Sequence, residues 1–109
     1  MNAPPTHDLL ERFSAIRRQI HARPELKFEE FETADLVAKE LQAMGVDEVH
    51  TGIGGTGLVG VIHGSQPLVS AAACKAVGLR ADMDALPMTE KNSFTHASQH
   101  AGKMHACGH

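Results

Sequence analysis

Residues 104–109, with the sequence MHACGH, concentrate the side chains that bind transition metals. They place an imidazole, a thiol and a second imidazole at alternate positions: His105, Cys107 and His109. Thiolate and imidazole are preferred ligands of zinc and similar ions. In an extended segment, alternate side chains share one face, so these three could approach one ion. Spacing alone leaves a second interpretation open, in which the segment is an exposed histidine-rich end with a buried thiol.

Two aspartates, Asp82 and Asp84, follow an apolar stretch that is predicted to form a strand at residues 76–81. In α/β proteins, functional sites tend to lie at the carboxyl ends of strands. If the strand continues, both carboxylates point to one face, where one of them could orient a metal-binding imidazole. The alternative is that the aspartates only cap a turn and keep the strand end soluble.

Two amphipathic helices should position these groups. In the first, apolar residues recur at helical spacing: Leu9, Phe13, Ile16 and Ile20. Pro24 disfavours helical geometry at the residue before it, so this helix should end near Ala22. A second apolar stripe runs over residues 31–44, and Gly45 is well placed to cap its carboxyl end.

Three short strands are predicted after the helices, at residues 46–50, 58–64 and 76–81. Gly52, Gly54 and Gly57 match G-x-G-x-x-G, but the residues that follow indicate a strand rather than the helix that dinucleotide binding needs. The glycines therefore predict a turn between two antiparallel strands. The expected fold class is α/β, with two N-terminal helices followed by an incomplete sheet of about three strands.

Composition narrows the possible partners and location. A chain of 109 residues is one domain at most, and its net charge of −3 argues against nucleic-acid binding. No apolar run approaches the roughly 20 residues of a membrane span, and no secretory signal is present. Cys74 and Cys107 do not make a disulfide framework, so a cytoplasmic protein is expected. Four other histidines are expected to be isolated surface or packing residues: His7, His21, His50 and His63.

Three blocks of sequence together resemble a known enzyme family. They are HARPELKFEE at residues 21–30, GLRADMDALP at 78–87 and MHACGH at 104–109, hereafter the first, second and third blocks. In this order they resemble the amino-terminal part of the zinc-peptidase-like amidohydrolases, which include hippurate hydrolase, N-acyl-amino-acid amidohydrolases and auxin-conjugate hydrolases. The resemblance implies a zinc-exopeptidase-like catalytic domain.

The resemblance also implies an activity and its site. The reaction is metal-dependent hydrolysis of a small-molecule N-acyl amino acid, releasing an acid and an amino acid. Two divalent ions are expected, manganese, zinc or nickel, with Cys107 and His109 as metal ligands. Asp84 matches an aspartate beside the metal site, and Asp82 falls where related peptidases have a metal-binding histidine. The first block is expected to be scaffold, and full-length relatives are expected to be homo-oligomers.

The resemblance covers only about the first quarter of a typical family member. Residues 1–109 are therefore expected to be the N-terminal part of a catalytic domain, without the glutamate base, the distal metal ligands and the dimerisation domain. Such a chain should not catalyse alone. Two alternatives stay open on the sequence: a small non-enzymatic metal-binding module that uses the third block, and an inert remnant that folds poorly.

Overall fold

The computed structural model describes residues 6–65 and 75–108, which form an α/β fold. In chain order, the elements are α1 (Thr6–Ala22), α2 (Phe31–Ala43), β1 (Glu48–Ile53) and β2 (Gly57–Val61). The predicted α/β class, with two helices preceding the sheet, is confirmed. Neither described helix is long and apolar enough to cross a membrane.

Helix α1 ends at Ala22, as Pro24 predicts. The Arg23 N–H donates to the Ile20 carbonyl at 3.1 Å, which closes the last turn. Ala22 and Pro24 are both buried, so the end of the helix and the start of the first block lie in the small core. The chain turns at this point toward the carboxyl-terminal segment.

The end of α2 is a two-bond glycine cap. Gly45 has a φ of 79°. Its N–H donates to the Gln42 carbonyl at 3.0 Å, and the Val46 N–H donates to the Leu41 carbonyl at 3.3 Å. This pair of bonds and the left-handed glycine are the Schellman arrangement, which satisfies carbonyls that the helix end would leave unpaired. The predicted glycine cap is confirmed.

Strands β1 and β2 pair antiparallel in the register Glu48↔Val61 and His50↔Val59, which confirms the predicted hairpin. Residues 54–56 form the turn, so the glycine motif belongs to a hairpin. The observed strands are shifted from the predicted ranges 46–50 and 58–64 by one to three residues at each end. β1 continues through Gly52 toward the turn. A Cβ at Gly57 would lie 2.5 Å from the Ile53 carbonyl oxygen, so only glycine fits there.

The predicted third strand at residues 76–81 is wrong for the described part of the chain. Residues 75–84 carry no strand, and Val77 and Leu79 are 89% and 96% exposed. A strand requires a neighbour to accept its backbone hydrogen bonds, and the described sheet contains only β1 and β2. A mainly apolar stretch is therefore present here without the neighbouring strand with which it could pair.

The fold is open for its length. Its Cα radius of gyration is 16.9 Å, whereas a compact chain of this size has one of about 13 Å. Only two apolar residues outside proline count as buried core, Ala22 and Ala85, among the described residues. Stability therefore depends strongly on polar contacts, several of which lie at the candidate site.

Candidate metal site and the segments that position it

The three sequence blocks meet through backbone hydrogen bonds. The Ala85 N–H donates to the Glu25 carbonyl at 2.8 Å, in a parallel bridge between Leu26 and Ala85. Leu86 and Met104 then exchange two bonds, of 2.9 and 3.0 Å, in an antiparallel bridge. The second block therefore lies between the first and the third.

The antiparallel bridge fixes where the candidate ligands leave it. Because the two segments run in opposite directions, the residues before Leu86 and those after Met104 depart from the same end of the bridge. Asp84 precedes Leu86 by two residues and Cys107 follows Met104 by three. The fold thus directs the aspartate and the thiol toward one end of the three-segment arrangement.

Asp82 and Asp84 differ in their surroundings. Asp84 is half-buried, whereas Asp82 is exposed and accepts a 2.7 Å hydrogen bond from the Arg80 guanidinium Nε. This bond to Asp82 raises the pKa of Arg80 further above its ordinary value. Both aspartates line an open groove of about 850 Å³ beside the hairpin. The sequence predicts that both aspartates point to one face of a strand. No strand forms at the described residues 75–84, so that arrangement is not present there.

Cys107 is a free, exposed thiol, which contradicts the alternative of a buried one. His109 lies outside the described residues. Among the residues that the structure does describe, no three histidine, cysteine, aspartate or glutamate side chains are close enough together to hold a metal ion. A thiolate is a suitable donor for zinc and similar ions, and an exposed one is accessible to them. Cys107 therefore fits as a ligand but needs further donors to complete a shell.

The first block is structural, as the sequence indicated. The Glu25 carboxylate accepts hydrogen bonds from the Thr33 N–H (2.7 Å), the Thr33 hydroxyl (2.6 Å) and the Glu32 N–H (3.0 Å). Glu30, at the N-cap position of α2, makes no side-chain cap bond, so Glu25 satisfies the helix start instead. Burial opposes ionisation of Glu25, but the bonds from Thr33 and Glu32 outweigh it and lower the pKa of the carboxyl.

A buried polar contact joins α2 to the hairpin. Glu30 and Thr56 are only 8% and 9% exposed, and the Thr56 hydroxyl donates to Glu30 Oε2 at 2.5 Å. The side chain at the start of α2 is thereby attached to the turn between β1 and β2. Sequence reasoning missed this pair, because 26 residues separate the two and neither type indicates the other.

All four of the histidines expected to be isolated lie within 4 Å of a carboxylate oxygen. His21 Nε2 lies 2.7 Å from Glu90 Oε1, with side-chain exposures of 16% and 3%. His50 and His63 each place Nε2 2.8 Å from an oxygen of Glu48, and these bonds, the one from His63 first, lower the pKa of Glu48. His50 and His63 are 55% and 65% exposed surface residues, and His21 is a packing residue at 16%, in line with the expectation of surface or packing positions.

His7 and Cys74 complete the set of groups considered from sequence. His7 is 78% exposed and lies 3.6 Å from Glu11, as expected of a surface residue. Cys74 lies outside the described residues.

Glu90 is the buried acidic residue that the sequence did not single out. Its Oε1 accepts hydrogen bonds from His21 Nε2 and, at 3.1 Å, from the Ser98 N–H. Burial opposes its ionisation, but the Ser98 and His21 bonds outweigh it and lower the pKa of the carboxyl. A single glutamate in an irregular stretch gives no pattern by which to find it, since its partner lies 69 residues away.

Comparison with known proteins found a family model and several relatives that resemble this chain. The model of peptidase family M20/M25/M40 matches residues 78–109, which contain the second and third blocks. A hippurate hydrolase of Campylobacter jejuni is 47% identical over 106 residues, which are 97% of this chain and 26% of that protein. The Arabidopsis thaliana IAA-amino acid hydrolase ILR1-like 2 is 46% identical over 86% of this chain and 20% of its own length.

Solved structures show the same likeness in three dimensions. The YxeP protein of Bacillus subtilis, described as a dinuclear metal-binding peptidase of the M20 family, matches with a TM-score of 0.83 and 31% identity. The match covers 95% of this chain and 27% of that one. The chain thus spans about a quarter of the length of the relatives it matches. The resemblance predicted from the three blocks is confirmed.

Proposed function

We propose that this chain is a member of peptidase family M20/M25/M40 and forms the N-terminal part of the catalytic domain of a metal-dependent amidohydrolase. The observation that carries the proposal is the meeting of the three blocks, with Asp84 and Cys107 leaving the Leu86–Met104 bridge at the same end. The dinuclear metal site named for the YxeP protein supports divalent metal binding.

In this proposal the site residues have separate roles. Cys107 and His109 hold a divalent ion, and Asp84 orients one of the ligands from the neighbouring segment. Asp82 borders the site, where it accepts a hydrogen bond from Arg80. When bound, a divalent ion supplies Lewis-acid polarisation and a more acidic water. Manganese, zinc and nickel are the candidate ions.

The proposed substrate is a small N-acyl amino acid, hydrolysed to an acid and an amino acid. The names of the hippurate hydrolase and the IAA-amino acid hydrolase support this class, because both act on an acyl group joined to an amino acid. The proposal includes a cytoplasmic location and a homo-oligomeric full-length protein. It also holds that these 109 residues are inactive alone, since no three candidate metal donors lie together among the residues that the structure describes.

A chimera tests the proposal. This chain replaces the matching segment of the Campylobacter hippurate hydrolase, which is 26% of that protein, and hydrolysis of N-benzoylglycine is measured with added Mn²⁺. The chimera should turn over substrate, and Cys107→Ser and His109→Asn should each reduce kcat/KM by at least about 100-fold. The 109 residues alone should show no turnover.

Two results would contradict the proposal. Unchanged activity of the folded Cys107→Ser chimera would remove the thiolate from the metal site. Robust turnover by the 109-residue chain would refute its dependence on the remaining part of the domain. Glu11→Gln, at an exposed position of α1, serves as the control substitution and should leave the rate unchanged.

A further inference from the structure

The segment that leads to Cys107 has no regular secondary structure of its own. Residues 87–103 form only turns, bends and irregular backbone. The segment is held by hydrogen bonds to the end of α1, where the Gln99 N–H donates to the Ala22 carbonyl at 2.8 Å. His100 Nδ1 lies 3.0 Å from the Pro24 carbonyl oxygen, to which it donates. The carboxyl end of α1 is therefore the support on which this segment, hereafter the ligand-carrying segment, is held.

The buried pair His21 and Glu90 also joins α1 to the ligand-carrying segment. His21, in the last turn of α1, donates from Nε2 to Glu90 Oε1 at 2.7 Å, and the same oxygen accepts the Ser98 N–H. Glu90 is at the start of the ligand-carrying segment and is 3% exposed. Hydrogen bonds to an ionised group are stronger than neutral ones, and leaving a buried carboxylate without its donor is costly.

The His21 ring also lies close to the middle of the ligand-carrying segment and to His105, just beyond it. Its centroid lies 5.7 Å from Phe94, 5.8 Å from His96 and 6.3 Å from His105. Phe94 and His96 stack on each other at 4.0 Å. His105 is two residues before Cys107, so the His21 imidazole lies beside the middle of the segment and beside a close neighbour of the candidate ligand.

We propose that His21 and Glu90 are positioning residues that hold the ligand-carrying segment so that Cys107 is presented to a metal ion. This inference rests on the proposed metal ligation by Cys107. The pair restricts the conformations of a segment that has no helix or strand hydrogen bonds of its own. The segment therefore loses less conformational entropy when the ion binds. Without the pair, the same thiol is present but binds the ion more weakly.

The test is a Co²⁺ titration of the full 109-residue chain that carries Cys74→Ser, so that Cys107 is the only thiol. Coordination is followed by the thiolate-to-cobalt charge-transfer absorption, which reports Cys107 directly and does not depend on catalysis. In His21→Ala and Glu90→Gln, the Co²⁺ concentration for half-saturation should rise about tenfold. His21→Gln keeps an N–H donor at similar reach and should recover part of the loss.

Matched substitutions separate positioning from general damage. His7→Ala and Glu11→Gln remove the same side-chain types from exposed sites on the same helix and should leave half-saturation within about twofold of the parent. Glu90→Gln, which conserves volume, reports on the pair even if His21→Ala unfolds the chain. Half-saturation unchanged in Glu90→Gln, or in a folded His21→Ala variant, would overturn the positioning role.

The two proposals fail differently. A parent chain with no thiolate-to-cobalt band at millimolar Co²⁺, or a band that survives Cys107→Ser, overturns ligation by Cys107 and the positioning role with it. A parent band that Cys107→Ser abolishes, but that the Glu90 and His21 variants leave unaltered, overturns the positioning role alone.

Discussion

Removing the Glu25 carboxylate should destabilise the start of α2. The carboxylate accepts three hydrogen bonds, two from Thr33 and one from the Glu32 N–H. Loss of a helix cap costs about 1–2 kcal/mol, and loss of a negative charge at a helix N-terminus adds about 0.5 kcal/mol. Glu25→Ala should therefore lower the free energy of unfolding by about 2 kcal/mol. For a domain near 100 residues this corresponds to a decrease in Tm of roughly 8–16 °C.

Urea and thermal unfolding, followed by far-UV circular dichroism, measure this change. Glu29→Ala is the control, because Glu29 is 62% exposed and its ion pair with Lys103 is long at 3.9 Å. This substitution should lower the free energy of unfolding by less than about 0.5 kcal/mol. Glu25→Gln, which keeps an acceptor but no charge, should fall between the two. Equal destabilisation by Glu25→Ala and Glu29→Ala would refute the capping role.

The pH dependence of the Glu25 effect has a definite sign. The pKa of Glu25 is lowered from 4.5 in the folded chain, so the folded state favours the ionised form. The associated stability is present above pH 4.5 and is lost as the pH falls through the lowered folded value. The stability difference between the parent and Glu25→Gln should therefore shrink in acid, and a difference that grows would contradict the argument.

Two further changes test the polar contacts around the hairpin. Thr56→Val removes the donor to the buried Glu30 carboxylate and should cost about 1–3 kcal/mol of unfolding free energy, measured by urea denaturation, whereas Thr56→Ser should restore most of it. In NMR titration the Glu48 carboxyl should have a pKa below its ordinary value, and His63→Gln should raise it more than His50→Gln does. Equal effects of valine and serine, or no change at Glu48, would contradict these assignments.

The helices and the hairpin were predictable because their signals are local. Pro24 marks the end of α1 at Ala22, and Gly45 forms the cap that ends α2. The glycines near residue 54 mark the hairpin turn. Each signal acts through the backbone geometry of the residue itself or its neighbours, so sequence position alone identifies it.

The contacts that organise the candidate site were not predictable in this way. Glu25 caps a helix that begins six residues later, and His21 meets Glu90 across 69 residues. Such pairs depend on how the elements pack, which composition and periodicity do not specify. The prediction of a third strand is wrong for a related reason. Residues 76–81 have strand propensity but no described neighbour with which to pair.

The bridge between Leu26 and Ala85 also has a kinetic consequence. It joins residues 59 positions apart (85 − 26), whereas the helices and the hairpin pair residues close in sequence. Long-range closures are entropically costly and tend to form after local structure. We expect α1, α2 and the hairpin to form first, and the meeting of the three blocks to be the late, rate-limiting event of folding. Acquisition of the Cys107 ligand geometry would then lag behind the helical signal.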